Sequence, residues 1–423
     1  MLSTILYILL AIVILLILIT VHEFGHYTAG KILGFKINEF SIGFGKAIFQ
    51  KTKANGEVFS VRLVPLGGYC AFSGEDDDKP DDPGAFNNQK PWKRLIVTLA
   101  GVTFNFLFGI IMSVIFLVVS GYAVPRVTQL APGNTYFQVG DVITAVNGQK
   151  LEIYRHMTDI TASYGEGKEF VVTIERNGEV KNITVAKQNY SSFYYVSNPA
   201  AIDGNLYDVG GNPYSLANFN EFLATFTPTY TDNEDGTRTY DLPDFADGTF
   251  KYKDESGNLV DYSASELIKV AGITTAPEGV SLGFVYASEA KSYGFFEALG
   301  KAWPFAFYIC GIILQALFGI FTGATHLKDL GGTLTAVGQM AEISRMGFTQ
   351  FLMLFPMLSF NLAIFNILPI PALDGARAVF ILIEMIFRKP VPRKIEGYIH
   401  TVGLIILFAL VIFLDVYHLF FVR

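Results

Sequence analysis

The chain has 423 residues, 51% of them hydrophobic and only 16% charged, against about 25% charged in an ordinary soluble domain. That balance excludes a simple soluble protein and fits a membrane protein with room for one extra soluble domain. The net charge of −7 argues against nucleic acid as a partner. Cys70 and Cys310 lie too far apart to suggest a metal cluster or redox pair.

The first element is the uncharged run Leu2–Val21. About 20 apolar residues are enough to span a bilayer. The run has no basic flank and no small-residue cleavage site, so a retained helix is expected and not a cleaved signal. It ends in His22-Glu23-Phe-Gly-His26. Two histidines at i and i+4 share one helix face, so both rings can reach one metal ion. Glu23 is then placed to take a proton from water at that metal. Ionisable side chains at membrane depth are costly and mark function.

The segment 31–94 holds ten Lys/Arg and reads as cytoplasmic by the positive-inside rule. Within it, Lys36–Ile42, Ala47–Gln50 and Val58–Val64 are expected as short strands. Gly43-Phe44-Gly45 and Asn55-Gly56 are the turns between them. Leu66-Gly-Gly-Tyr69 closes the unit, and the acidic Glu75–Asp82 reads as a solvated loop. Leu95–Gly121 is a second span, after which 121–295, with twelve basic and twenty-two acidic residues, is translocated. Residues 124–187 form a compact α/β module, with strands ending in Asn147-Gly148 and Asn177-Gly178 turns. From 188 to 278 the chain is rich in Tyr, Asn, Asp, Gly and Thr, which fits either an inserted β-rich extension or a partly ordered surface segment.

Three further uncharged stretches follow, Ala302–Thr325, Gly347–Leu373 and Gly397–Leu414, with the basic Arg377–Lys394 between the last two. Parity then constrains the topology. If the first helix runs out to in and Gly347–Leu373 ends at the cytoplasmic Arg377–Lys394 loop, Ala302–Thr325 cannot cross once. The expected fold is a polytopic α-helical membrane protein with about four spans. The expected segments are 1–28 (first span), 29–94 (cytoplasmic or reentrant β-region), 95–121 (second span), 122–187 (α/β domain) and 188–290 (extracytoplasmic extension or insertion). They continue with 291–346 (membrane-associated helical segment), 347–375 (third span), 376–396 (cytoplasmic loop) and 397–423 (fourth span).

A catalytic zinc takes three protein ligands and keeps one open position. The third candidate is Asp374, in Asn366-Ile-Leu-Pro369-Ile-Pro371-Ala-Leu-Asp374-Gly375. Pro369 and Pro371 break the helix there, and irregular backbone at membrane depth is tolerated where it lines a wet cavity. The plain alternative is a helix end with Asp374 in interfacial water. His400 is the rival ligand; His156, His326 and His418 are expected far from the site. Asn105, Asn361 and Asn366 are candidates for holding a substrate backbone, or else for interhelical packing. Pro369 and Pro371 are grouped with them as candidate substrate contacts.

These motifs resemble the site-2 protease family, the zinc intramembrane metalloproteases of peptidase family M50, in particular the bacterial regulator-of-sigma-E type. The resemblance rests on His22–His26, Leu66–Tyr69, Gly101-Val-Thr-Phe-Asn105, the module at 124–187 and Asn366–Gly375. Val102 stands where the family has proline, Thr135-Tyr-Phe-Gln where Ala-Gly-Leu is usual, and Gly332-Thr-Leu where Gly-Pro-Ile is usual. The resemblance implies Zn2+ held by His22, His26 and Asp374, with Glu23 activating water. It implies that 122–187 is an extracytoplasmic PDZ-like domain. It implies a membrane-associated β-loop in which Gly43, Phe44, Gly45 and Tyr69 align the substrate as an added strand.

The implied activity is cleavage of transmembrane segments in regulated intramembrane proteolysis. Anti-sigma factors or signal-peptide remnants would be the substrates, after a first cut by an upstream site-1 protease. The implied setting is the bacterial inner membrane, with the active site near the cytoplasmic side. Two rivals are a membrane-bound PDZ adaptor or chaperone with a non-catalytic metal site, and a transporter. The intact Glu23 weighs against the first and the lack of an internal repeat against the second.

Overall fold

The computed structural model describes residues 2–75, 82–233, 235, 237–254, 256–323 and 331–421. Most of the expected acidic loop at 75–82, and His326, lie outside them. The chain forms two units, Met1–Ser120 with Ser292–Arg423, and Gly121–Lys291.

The first unit holds seven helices among the described residues: α1 Leu2–Leu33, α2 Pro91–Ser120, α3 Phe295–Thr322, α4 Thr333–Met346, α5 Phe348–Ile367, α6 Asp374–Phe387 and α7 Arg393–Phe421. Five of them (α1, α2, α3, α5 and α7) contain stretches long and apolar enough to cross a membrane, so the protein is polytopic. Helix α1 stops at Gly34, whose φ of +79° suits glycine. Helices α1 and α2 cross closely: a Cβ on Gly25 would lie 2.5 Å from the Ala100 carbonyl oxygen. Helix α5 packs on α2 through Phe360, whose ring fills the space a side chain at Gly109 would need.

Three expectations change here. The three short strands are two long antiparallel ones, β1 Ile37–Thr52 and β2 Val58–Phe72. Gly43 and Gly45, at φ +87° and +81°, do not reverse the chain. They sit at irregularities in the β1–β2 register, bending the strand as bulges do. Only Asn55-Gly56 turns it back. The helix of the third expected span ends at Ile367, not Leu373, because Leu368 precedes Pro369 and is extended, with ψ 146°. The expected cytoplasmic loop 376–396 contains α6. Its small buried residues Gly375, Ala376 and Ala378 let it pack closely, and the buried Arg94 of α2 pairs with its Glu384.

Glu57, beside the hairpin turn, anchors the hairpin to α1. Its carboxylate is buried and accepts from Tyr27 Oη at 2.9 Å, Lys53 Nζ at 2.7 Å and the Lys31 ammonium. Burial alone would raise its pKa; the hydrogen bonds from Lys31, Lys53 and Tyr27 outweigh burial and pull it down to about 2.

In the second unit the strands β3 Tyr122–Leu130, β4 Val142–Val146, β5 Glu169–Arg176, β6 Glu179–Ala186 and β7 Phe284–Lys291 form one antiparallel sheet, in the order β7-β3-β4-β5-β6. Asn147 and Asn177 take positive φ (48° and 54°) before their glycines, as the Asn-Gly hairpin signal predicts. The buried Asp141 accepts two hydrogen bonds from Arg176, at 2.7 and 2.6 Å. The sheet is completed by β7, well beyond the expected boundary at 187. The stretch before β7 is folded. It buries Tyr194, Ile202, Leu206, Phe219, Leu223, Phe250 and Leu267 around the helices Leu216–Leu223 and Ala264–Ala271. It is therefore an insertion between β6 and β7 with its own core.

Candidate metal centre

The apolar run makes α1 a continuous helix, so His22 and His26 fall one turn apart on its buried face. The turn 368–373 returns the chain to them. Ala372 stands at φ +78° and donates its N–H to His400 Nδ1 at 2.9 Å. Gly375 then fits where a Cβ would lie 2.2 Å from the Leu368 carbonyl oxygen. Asp374 is thereby presented at the first turn of α6, a favourable position for a carboxylate.

Asp374 Oδ2 lies 3.0 Å from His22 Nε2 and 3.2 Å from His26 Nε2, and the two Nε2 atoms are 3.2 Å apart. His26 Nδ1 lies 2.8 Å from the Val97 carbonyl, which can only accept, so the ring proton belongs on Nδ1 and a lone pair on Nε2. With Nε2 unprotonated, His26 cannot donate to Asp374 Oδ2, which is buried without a hydrogen-bond donor. Lone pairs therefore converge on one point, an arrangement that a cation relieves. Metal–ligand bonds of about 2.0–2.1 Å at tetrahedral angles would place ligand atoms about 3.3 Å apart, close to what is seen. Gly101 of α2 keeps the space clear: a Cβ there would lie 2.4 Å from His26 Nε2 and 2.8 Å from His22 Nε2. Two imidazoles, one carboxylate and this clearing fit zinc.

A cavity of about 340 Å³ opens at the site, lined by His22, Glu23, His26, Asp374, Arg377, Glu75 and the Tyr69–Phe72 end of β2 among others. Glu23 thus shares the cavity with the three convergent groups. Phe44 stacks on Tyr69, with ring centroids 6.1 Å apart, and Gly43 and Gly45 flank Phe44 in β1. These three residues are not among those lining the cavity.

Asn105, Asn361, Asn366, Pro369 and Pro371, all expected at the substrate, are not among the residues that line this cavity. Asn105 is fully buried, with Nδ2 3.2 Å from His22 Nδ1. It lies beneath the His22 ring. Asn366 spends its Nδ2 on the Leu362 carbonyl one turn back, at 2.8 Å. Pro371 packs against Gly403 of α7, and neither it nor Pro369 lines the cavity. Asn361 is half-buried on α5 and Pro369 lies in the turn. His400 is not in the convergent group; its hydrogen bond to Ala372 makes it a brace for the Asp374 turn.

A model of peptidase family M50 matches residues 10–410. The chain belongs to this family. Its relatives include proteins of Vibrio cholerae (27% identical, covering 93% of this chain and 94% of the relative), Fusobacterium nucleatum (25%, 96% and 97%) and Clostridium perfringens (25%, 97% and 97%). Each carries the name "Putative zinc metalloprotease". As an M50 peptidase this chain is a membrane zinc metalloprotease with Zn2+ as its cofactor, and the convergent group is the place in the described residues that suits the ion.

Sequence reasoning missed Gly101, the Val97 carbonyl and Arg377. Gly101 carried a signal: it stands one helical turn before Asn105, on the stripe that faces the histidines. Arg377 carries no signal in the sequence beyond its place in a basic segment, yet it pairs with Glu75 beside the cavity.

Proposed function

We propose that the protein cleaves transmembrane segments of membrane proteins within the bilayer, with His22, His26 and Asp374 holding zinc and Glu23 as the base. One observation carries this reading: the convergent group and Glu23 share a cavity on a helix apolar enough to span a membrane. Zinc, when bound, acidifies water and polarises the scissile carbonyl. Glu23 takes a proton from the attacking water and returns it to the leaving amine. The end of β2 beside Glu23 gives an extended substrate backbone a strand to pair with. The substrate helix must unwind to use it, since a helical peptide bond is shielded and already hydrogen-bonded.

The topology we propose places the β1–β2 hairpin and the α6–α7 connection at the cytoplasmic side of the bacterial inner membrane, with the second unit outside. The pairing of Asp374 with the histidines supports it, because α1 and α5 then both run outward to inward. Trp303 and Phe307 pack on Phe106, while Phe305 between them packs on Phe116. These few residues of α3 reach across ten residues of α2, about 15 Å of helix rise. That supports α3 crossing α2 steeply and inserting without spanning, so that four helices cross. The antiparallel sheet of the second unit serves as a PDZ-like filter in this reading. Anti-sigma factors and signal-peptide remnants, first cut by a site-1 protease, are the substrates that the family resemblance favours.

The test uses full-length protein in vesicles with zinc and a model single-span substrate. Mass spectrometry should place the cut inside the apolar stretch, and a chelator should abolish it. Cleavage only in the soluble flanks would overturn the intramembrane reading.

A further inference from the structure

We propose that Asn105 is a positioning residue that holds the His22 ring with Nε2 turned to the metal, an inference that rests on the zinc reading above. One stripe of α2 carries the argument. Val97, Gly101 and Asn105 are four residues apart, so they share a face, and that face meets the His22–His26 face of α1. Val97 accepts from His26 Nδ1 at 2.8 Å. Gly101 leaves the clearing between the two Nε2 atoms. Asn105 sits at His22 Nδ1, at 3.2 Å. Each histidine thus has its own partner on α2, at the nitrogen turned away from Asp374.

The amide of Asn105 carries a second observation. Nδ2 faces His22 and Oδ1 is buried with no hydrogen-bond partner. The two ends of an amide are assigned from the hydrogen-bond network, and a half-turn exchanges them. A histidine that ligates through Nε2 carries its proton on Nδ1 and needs an acceptor there. The half-turn places Oδ1 on that proton, so the amide oxygen gains a donor and His22 Nδ1 an acceptor. The backbone is pinned at this turn, since the buried Ser359 Oγ of α5 donates to the Asn105 carbonyl at 2.6 Å. Partners of this kind fix the tautomer and ring orientation of metal-binding histidines.

The experiment measures zinc affinity of the full-length protein by competition with a chromogenic chelator, with thermal unfolding as the check on folding. Asn105→Leu keeps the branched heavy-atom skeleton of the side chain but is bulkier and has no acceptor; if it folds, it should lose about 10–100-fold in zinc affinity. Asn105→Asp restores an acceptor and should bind zinc within a few-fold of wild type, or more tightly. A folded Asn105→Leu protein with wild-type affinity overturns the inference and leaves the zinc site standing. If Asn105→Leu does not fold, Asn105→Asp decides: folded with weakened zinc binding, it overturns the inference; folded with zinc held, it supports it. A wild-type protein that binds no zinc overturns the metal reading and the inference with it.

Discussion

Asp374 Oδ2 stands 3.0 Å from His22 Nε2, although the two residues belong to opposite ends of the chain. The contact depends on a turn that two prolines open, that His400 braces through the Ala372 N–H, and that Gly375 lets pack tightly. It also ties the C-terminal helices to α1, so the site cannot be complete until both ends of the chain are in place.

Gly101→Ala should remove the metal. Alanine favours helix, so α2 should persist. Its Cβ, however, would lie 2.4 Å from His26 Nε2, inside the space that the ion needs. Wild-type protein should hold about one zinc per chain, as expected of a single site with three protein ligands, and the variant close to none. Elemental analysis of both checks this, and full occupancy of the variant would move the ion elsewhere.

Glu23→Gln separates chemistry from binding. Glutamine keeps the size of the side chain but cannot serve as a base at neutral pH. Zinc should remain, and cleavage should fall by roughly 10²–10⁴-fold, the usual share of general acid–base catalysis. Normal cleavage would show that another group takes the proton.

Glu57 should make the hairpin's attachment to α1 sensitive to acid. Its folded pKa, about 2, lies below the ordinary 4.5. A lowered carboxylate pKa contributes stability in full above 4.5, and that contribution is lost as pH falls from 4.5 through about 2. Protease protection of the hairpin should decline over that interval in wild type. Glu57→Gln should lack that component and be weaker at neutral pH by about 1.5–3 kcal/mol, the range for hydrogen bonds to a charged group. Identical acid profiles for the two proteins would contradict the anchor.

Asn55→Cys and Ala200→Cys, made in a background without Cys70 and Cys310, test the topology. A membrane-impermeant thiol reagent applied to intact cells should label position 200 and spare position 55. The reverse pattern would invert the protein in the membrane, and labelling of both would break the parity argument.

Local pattern was legible in the sequence wherever one element carried the whole signal. The apolar run before His22 marks a membrane helix, the i, i+4 spacing puts both histidines on one face, and Asn147-Gly148 and Asn177-Gly178 set their hairpin turns, because each depends on a few adjacent dihedrals. Helix α6 is hidden in the sequence because Arg377 and Arg388 give the segment the look of a topogenic charge cluster. The small residues Gly375, Ala376 and Ala378 acquire meaning only against α2, where Arg94 meets Glu384.

Gly43 and Gly45 likewise signal positive φ in the sequence, but whether that reverses a strand or only bends it depends on the partner β2. The strand β7 could not be assigned to its sheet from sequence, since a folded insertion separates it from β6. Sequence alone therefore determined the chemistry on offer: two histidines and a glutamate on an apolar helix, and an aspartate after a broken one. Tertiary structure alone decided that Asp374 meets the histidines, that Gly101 leaves room for an ion, and that Asn105 lies under His22 instead of facing a substrate, because which side chains share a face across two helices is set by how those helices cross.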